Sequence, residues 1–170
     1  MRERLLDEFE SMLNVGLGAE ALRAYVAGFD AVPHRPVEHV VTLWHVATVL
    51  PLVFHEVSRR AIAKRRASSG LRSILTRDPD VDLAQNEAIF NLNRRMKSMY
   101  PRTLRSLNCA VAWGMLAVLE GAFSPVADPR QTALSGESRD IVRAADKLGT
   151  WAGQMTAFEY FTVLNVEFNR

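Results

Sequence analysis

Apolar side chains recur along most of this 170-residue chain at helical rather than strand spacing. Leu5, Leu6, Phe9, Met12 and Leu13 follow the i, i+3, i+4, i+7 pattern that gives a first amphipathic helix. Gly16 and Gly18 punctuate the chain. Ala19 to Phe29 then reads as a second short helix, with Leu22, Tyr25, Val26 and Phe29 on one side. Pro33 and Pro36 break it again, and Pro36 suits the first turn of the next helix, where its missing N–H costs nothing. That helix is apolar nearly all round (Val37, Val40, Val41, Leu43, Trp44, Val46, Ala47, Leu50), which predicts burial, and Pro51 should end or kink it.

From Leu52 the apolar stripe continues through Val53, Phe54, Val57 and Ile62, while the opposite face fills with arginine and lysine. Ala67 to Gly70 reads as a loop and Leu71 to Leu75 as a helical turn. The run from Asp78 to Asp82 reads as a second turn, with Asp82 placed to cap a helix running to about Tyr100. Pro101 separates that helix from another, Thr103 to Glu120, which Gly121 stops. Two segments read as strands: Ala122 to Ala127, confined to an edge by its proline, and Val163 to Phe168, which could pair with it. Between them, Ser138 to Leu148 and Trp151 to Phe161 are helical. The expected fold is mainly α, a compact helical domain with a small C-terminal β element, of which a winged helix is one form. We read a single domain over 1–170, with an N-terminal helical hairpin (1–35), a helical core (36–120) and the β element with further helices (121–170).

The size and the 48% hydrophobic content suit one domain with a real core. The N-terminus lacks an apolar signal core, and the two uncharged stretches, Val40–Phe54 and Ser106–Leu119, fall short of the roughly 20 residues a membrane span needs. A soluble, cytoplasmic protein is expected.

Charge changes the picture more. Between Val57 and Arg105 stand twelve Lys/Arg against four acids, whereas the rest of the chain holds nine bases and fifteen acids. The net +2 therefore hides a cationic middle between acidic ends. Such segregation speaks to partners rather than to fold. The candidate contact residues are Arg59, Arg60, Lys64, Arg65, Arg66, Arg72, Arg94, Arg95 and Lys97. Helical spacing lets Arg59, Lys64 and Arg66 share an exposed side, and such a patch would hold phosphate backbones without reading sequence. Only Tyr100 interleaves, so base stacking is not indicated. A helix-turn-helix across Pro101 would need a polar recognition face, for which only Arg102, Arg105, Ser106 and Asn108 qualify.

Catalytic chemistry is hard to assemble. His34, His39, His45 and His55 lack zinc-protease spacing and have no cysteine pair beside them. Cys109 sits in an apolar run, which favours burial over reactivity. Gly16-Leu-Gly18 lacks the third glycine and the lysine of a phosphate loop. The Asp78, Asp80, Asp82 trio lacks the glycine and glutamate of a calcium loop. No catalytic residue, cofactor or metal is expected, and a binding protein is the first reading.

A set of residues in order narrows it. Asn14, Gly16-Leu-Gly-Ala19, Tyr25, Leu50-Pro-Leu-Val-Phe-His55, Gly70-Leu-Arg72, Leu92-Asn-Arg94 with Arg95, the Leu104 and Leu107 entry to an apolar helix, Ala144-Ala-Asp-Lys-Leu-Gly149 with Trp151, and Leu164-Asn-Val166 span most of the chain. Together they resemble the middle components of bacterial ABC three-component systems. The resemblance implies a small non-enzymatic adaptor, encoded beside an SMC-like ABC ATPase and a third component. It also implies a role on nucleoprotein or in defence against phage DNA. No catalytic residue is implied by it. Arg65-Arg66 lies outside the shared pattern, as does Thr150 before Trp151. A connector between ATPase, third component and duplex DNA is therefore expected. A stand-alone basic DNA-binding protein or regulator of winged-helix type is the rival.

Overall fold

Asn14 opens the first observed helix by accepting the Leu17 N–H on its side-chain oxygen at 2.9 Å. The structure is a computed structural model and describes residues 14–35, 38–74, 91–126 and 134–167. In chain order the described helices are α1 (Val15–Asp30), α2 (Leu43–Val53), α3 (Glu56–Lys64), α4 (Leu92–Ala112), α5 (Gly136–Gly153) and α6 (Ala157–Val163). Two 3-10 turns, Ala67–Ser69 and Leu71–Ile74, follow α3. One antiparallel hairpin, β1 (Leu116–Leu119) and β2 (Ala122–Pro125), follows α4. The mostly helical class with a minimal β element is thus the observed one. The first predicted helix, the Asp78–Asp82 turn and the start of the helix after it lie outside the described residues.

α1 is the central helix, buried along almost its whole length and packed against α5, α4 and α2. Its crossing with α5 is unusually close because both partners lack side chains where they touch. A methyl at Gly149 would fall against the Tyr25 carbonyl, and one at Gly28 against the carbonyl of Asp146. At Gly153 it would meet the Phe29 carbonyl oxygen at 2.7 Å. Around this crossing the fully buried Tyr25, Phe29, Leu22, Ile141, Leu148 and Trp151 form the core. Gly18 serves α4 and α2 in the same way, with Ser106 and Leu50 pressing on it. Gly16 and Gly18 both lie inside α1 rather than punctuating the chain, and the close packing explains Gly18.

The helix expected from Pro36 begins only at Leu43. Thr42 and His45 form a reciprocal capping box, the Thr42 N–H donating to His45 Nδ1 at 3.2 Å. The residue before the cap, Val41, is extended and accepts from the Phe123 N–H at 2.9 Å, which draws it into the β element. Pro51 lies within α2 instead of ending it. Leu43 and Trp44, expected to be buried, reach the surface at the helix start.

Pro101 does not separate two helices. α4 runs through it unbroken, with the proline on the exposed side, so the helix-turn-helix has no turn. Ser106, counted toward a recognition face, is buried against α1. The winged-helix reading keeps only the hairpin behind it. α4 also stops earlier than expected: Gly114 takes φ +69°, and Glu120 and Gly121 take φ +51° and +78°. Two successive left-handed residues make the turn that matches strand twist, so Leu116–Leu119 becomes a strand paired with Ala122–Pro125.

The expected strand from Val163 is a correction of the same kind. Val163 closes α6, Asn165 takes the left-handed conformation, and the Val166 N–H returns to the Phe161 carbonyl at 3.0 Å. That is a helix C-cap, not an edge strand. Phe168 lies outside the described residues. Asn93 of α4 clamps this end by donating to the Asn165 carbonyl at 2.8 Å and accepting the Glu167 N–H at 3.0 Å.

Gly149→Ala should lower stability by about 3 kcal/mol, since two helix backbones must part to admit one methyl. Thr150→Ala, one residue along on the half-exposed side, should change it by less than about 1 kcal/mol. Urea midpoints of the two variants check the contrast; equal shifts would mean that the crossing is not tight.

Candidate functional site

The most basic segment of the chain is fixed from beneath by α5. Lys147 on that helix donates to the carbonyls of Ile62 at 3.2 Å, Ala63 at 3.1 Å and Arg65 at 2.7 Å. These are the last carbonyls of α3 and the residue after it, which a helix leaves without internal partners. An ammonium there also meets the negative end of the helix dipole. One turn further along α5, the Trp151 indole N–H donates to the Ala67 carbonyl at 2.8 Å. The backbone from Ile62 to Ala67 is thus held at four carbonyls, while Lys64 and Arg66 point into solvent.

The nine candidate residues do not share one surface. Arg59 turns inward, only 8% exposed, donating to the Val53 carbonyl at 3.1 Å and pairing with Glu137 at the start of α5. It is a strut between α3 and α5, which corrects its expected place beside Lys64 and Arg66. Arg60 pairs with Glu56 one turn back on α3. Arg72, on the second 3-10 turn, lies 3.7 Å from Glu159. Arg95 is half-buried, with Nη2 3.5 Å from the Ser58 hydroxyl, and burial lowers its pKa. The structure therefore brings Arg59 and Arg95 together around His55, whose pKa falls through burial first and those two guanidinium charges second. Arg65 is half-buried at the Lys147 clamp. Lys64, Arg66, Arg94 and Lys97 are exposed and make no ion pair with a described residue. These four are the free cationic side chains that remain of the nine, one at the end of α3, one on the clamped loop after it and two on α4.

Three of the four histidines have a local occupation. His55 caps α3, its Nδ1 accepting the Ser58 N–H at 3.4 Å. His45, 1% exposed, caps α2 and lies among Phe29, Tyr160 and Phe161 with ring centroids 4.8 to 5.8 Å apart. Burial, with His39 as a smaller cause, lowers its pKa to about 4. Beside it Thr48 shares a 2.8 Å hydrogen bond with the Tyr160 hydroxyl, whose pKa burial raises to about 12. His39 is half-buried against Phe29 at 4.9 Å, and its pKa is lowered by burial and then by Arg35. Cys109 is half-buried against the core, and burial raises its pKa. Among the described residues no three His, Cys, Asp or Glu side chains stand where they could hold a metal. Among them, too, no helix is long and apolar enough to cross a membrane.

Sequence reasoning missed two functional signals. Lys147 was visible only as part of a shared run, because nothing in spacing says that a lysine will cap a helix 82 residues away. The second is the exposed apolar end around the hairpin, hidden because Leu116–Leu119 reads as helix.

The geometry defines a small helical protein whose prepared features are surfaces: a clamped cationic loop, and an apolar hairpin end with Trp113 63% exposed and Leu119 74% exposed. The chain belongs to the family described as ABC-three component (ABC-3C) system Middle Component 3, whose model matches residues 2–168. Other components of such a system are its partners. No curated protein and no solved structure matches the chain.

Two measurements test the site. Lys147→Met should cost about 2 kcal/mol, as expected for several charge-assisted bonds lost at part-buried carbonyls. It should also speed amide exchange at residues 64–67; unchanged exchange would mean that the clamp does not hold the loop. For His45, the unfolded chain takes a proton near pH 6.5 whereas the folded chain resists until about 4. Stability should accordingly fall as pH drops through that window, by up to about 3 kcal/mol. His45→Gln keeps a capping side chain and should flatten the difference in urea midpoint between pH 7 and 5. A slope as steep as that of the native protein would place the effect elsewhere.

Proposed function

We propose that this chain is a non-enzymatic connector of its three-component system. It binds an SMC-like ABC ATPase and a third component, and couples ATP-driven movement to duplex DNA or to an effector in bacterial anti-phage defence. The observation that carries the reading is the clamped loop, whose carbonyls are held by Lys147 and Trp151 while Lys64 and Arg66 face solvent. A fixed backbone reduces the ordering cost of a contact made by the side chains above it. Family membership supports the adaptor role, and the charge supports phosphate or an acidic partner. The stand-alone regulator reading is the weaker one, since the unbroken α4 removes its helix-turn-helix.

Co-expression with the ATPase and the third component tests the connector. The three should co-elute from a sizing column, and a chain eluting as an isolated monomer would refute it. Duplex DNA contact is sequence-independent and weak. Lys64→Glu with Arg66→Glu and Lys97→Glu should lower the slope of log affinity against log salt by about 3. A slope unchanged from that of the native chain would exclude these side chains from DNA.

A further inference from the structure

The hairpin end carries an interaction surface of its own. In the β1–β2 register, Leu116 faces Pro125, Ala117 faces Ser124, Val118 faces Phe123 and Leu119 faces Ala122. Leu116, Phe123 and the bridging Val41 turn toward the core. The opposite face therefore presents Ala117, Leu119, Ala122 and Ser124, continued by Val126 and by Val40 on the neighbouring segment. A half-buried antiparallel sheet normally turns polar residues outward. Here the outward face is apolar except for Ser124, and not one outward residue is charged.

The edges are equally unbalanced. The Leu119–Ala122 pair flanks a two-residue turn, so it and the Ala117–Ser124 pair use the hydrogen bonds between the strands. The Val126 N–H donating to the Met115 carbonyl at 3.2 Å continues the same alternation. Phe123 consequently points its N–H away from β1, and the Val41 carbonyl takes it at 2.9 Å, which occupies the outer edge of β2. Leu116 and Val118 point their N–H and C=O away from β2. Among the described residues no backbone group meets them; Leu116 is buried, so the accessible part of this edge is at Val118, which is 49% exposed. β1 carries neither the charge nor the proline by which proteins protect such an edge.

Charge selects the occupant. Segments 38–44 and 113–126, which build this end, contain Glu38 and Glu120 and no lysine or arginine. A second copy of the chain, docked here about a two-fold axis, would bring the same carboxylates and no cation. We infer that the outer edge of β1 takes an extended apolar segment of another system component, flanked by lysine or arginine, which adds as a third strand beside Ala117 and Leu119. Strand addition of this kind derives affinity from main-chain bonds and specificity from alternate side chains. The inference rests on the connector reading and assigns that reading a second surface, at the hairpin rather than the cationic loop.

The test uses the full chain co-expressed with the other two components. Val118→Pro removes one outward N–H without touching a bond to β2, and Leu119→Glu with Ala117→Glu places charge on the covered face. Circular dichroism and the thermal midpoint establish that each variant is folded. Both variants should weaken retention of one component at least tenfold, whereas Lys64→Glu with Arg66→Glu should leave that component bound. Undiminished retention by the folded double-glutamate variant would overturn the inference and leave the connector standing. A wild-type chain that retains neither component would overturn both. If the wild-type chain proves to be a dimer that Leu119→Glu splits, the occupant is a second copy and the inference is wrong.

Discussion

Everything in this molecule depends on two helix backbones touching. α1 and α5 approach so closely that Gly28 and Gly149 each sit against a carbonyl of the other helix. Packing at that range leaves no slack, because interiors this dense transmit a one-methyl change directly into backbone displacement. Once α5 is pinned along one face, its remaining faces become fixed reference points. Glu137 at its start meets Arg59, Lys147 in its middle caps α3, and Trp151 near its end holds Ala67. The cationic loop inherits its position from the crossing.

The second constraint lies at the other end of α4. Gly114 turns the chain out of the helix, and the left-handed pair Glu120-Gly121 folds it into a hairpin that also captures Val41. The result is a protein with two chemically distinct surfaces, one basic and held by α5, the other apolar with Glu38 and Glu120 in its segments. Two unlike surfaces on one fold are what the proposed connector role would use. In that reading, the two surfaces engage different components.

The sequence makes the helical class legible because apolar spacing and charge segregation are local signals. It fails where long-range contact overrides a local rule. Gly18 reads as a break, but its small size is needed where Ser106 and Leu50 close on it. Pro101 reads as a boundary, yet an exposed position lets the helix continue without its N–H. Leu116–Leu119 reads as helix because its residues suit either state, and only the following turn decides. Arg59 shows the limit for function: helical spacing puts it beside Lys64 and Arg66, whereas the pairing with Glu137 draws it inside. The residues shared with the family fare differently. Asn14, Tyr25, Asn93, Lys147 and Trp151 all hold the fold together, so the resemblance identifies the architecture more directly than the contact surface.

Hydrogen exchange on the protein alone and in its assembled system measures the central claim most directly, because it maps both surfaces at once. New protection is expected at residues 64–67 and 116–119, with little change along α1. Protection confined to other segments, or none on assembly, would contradict it.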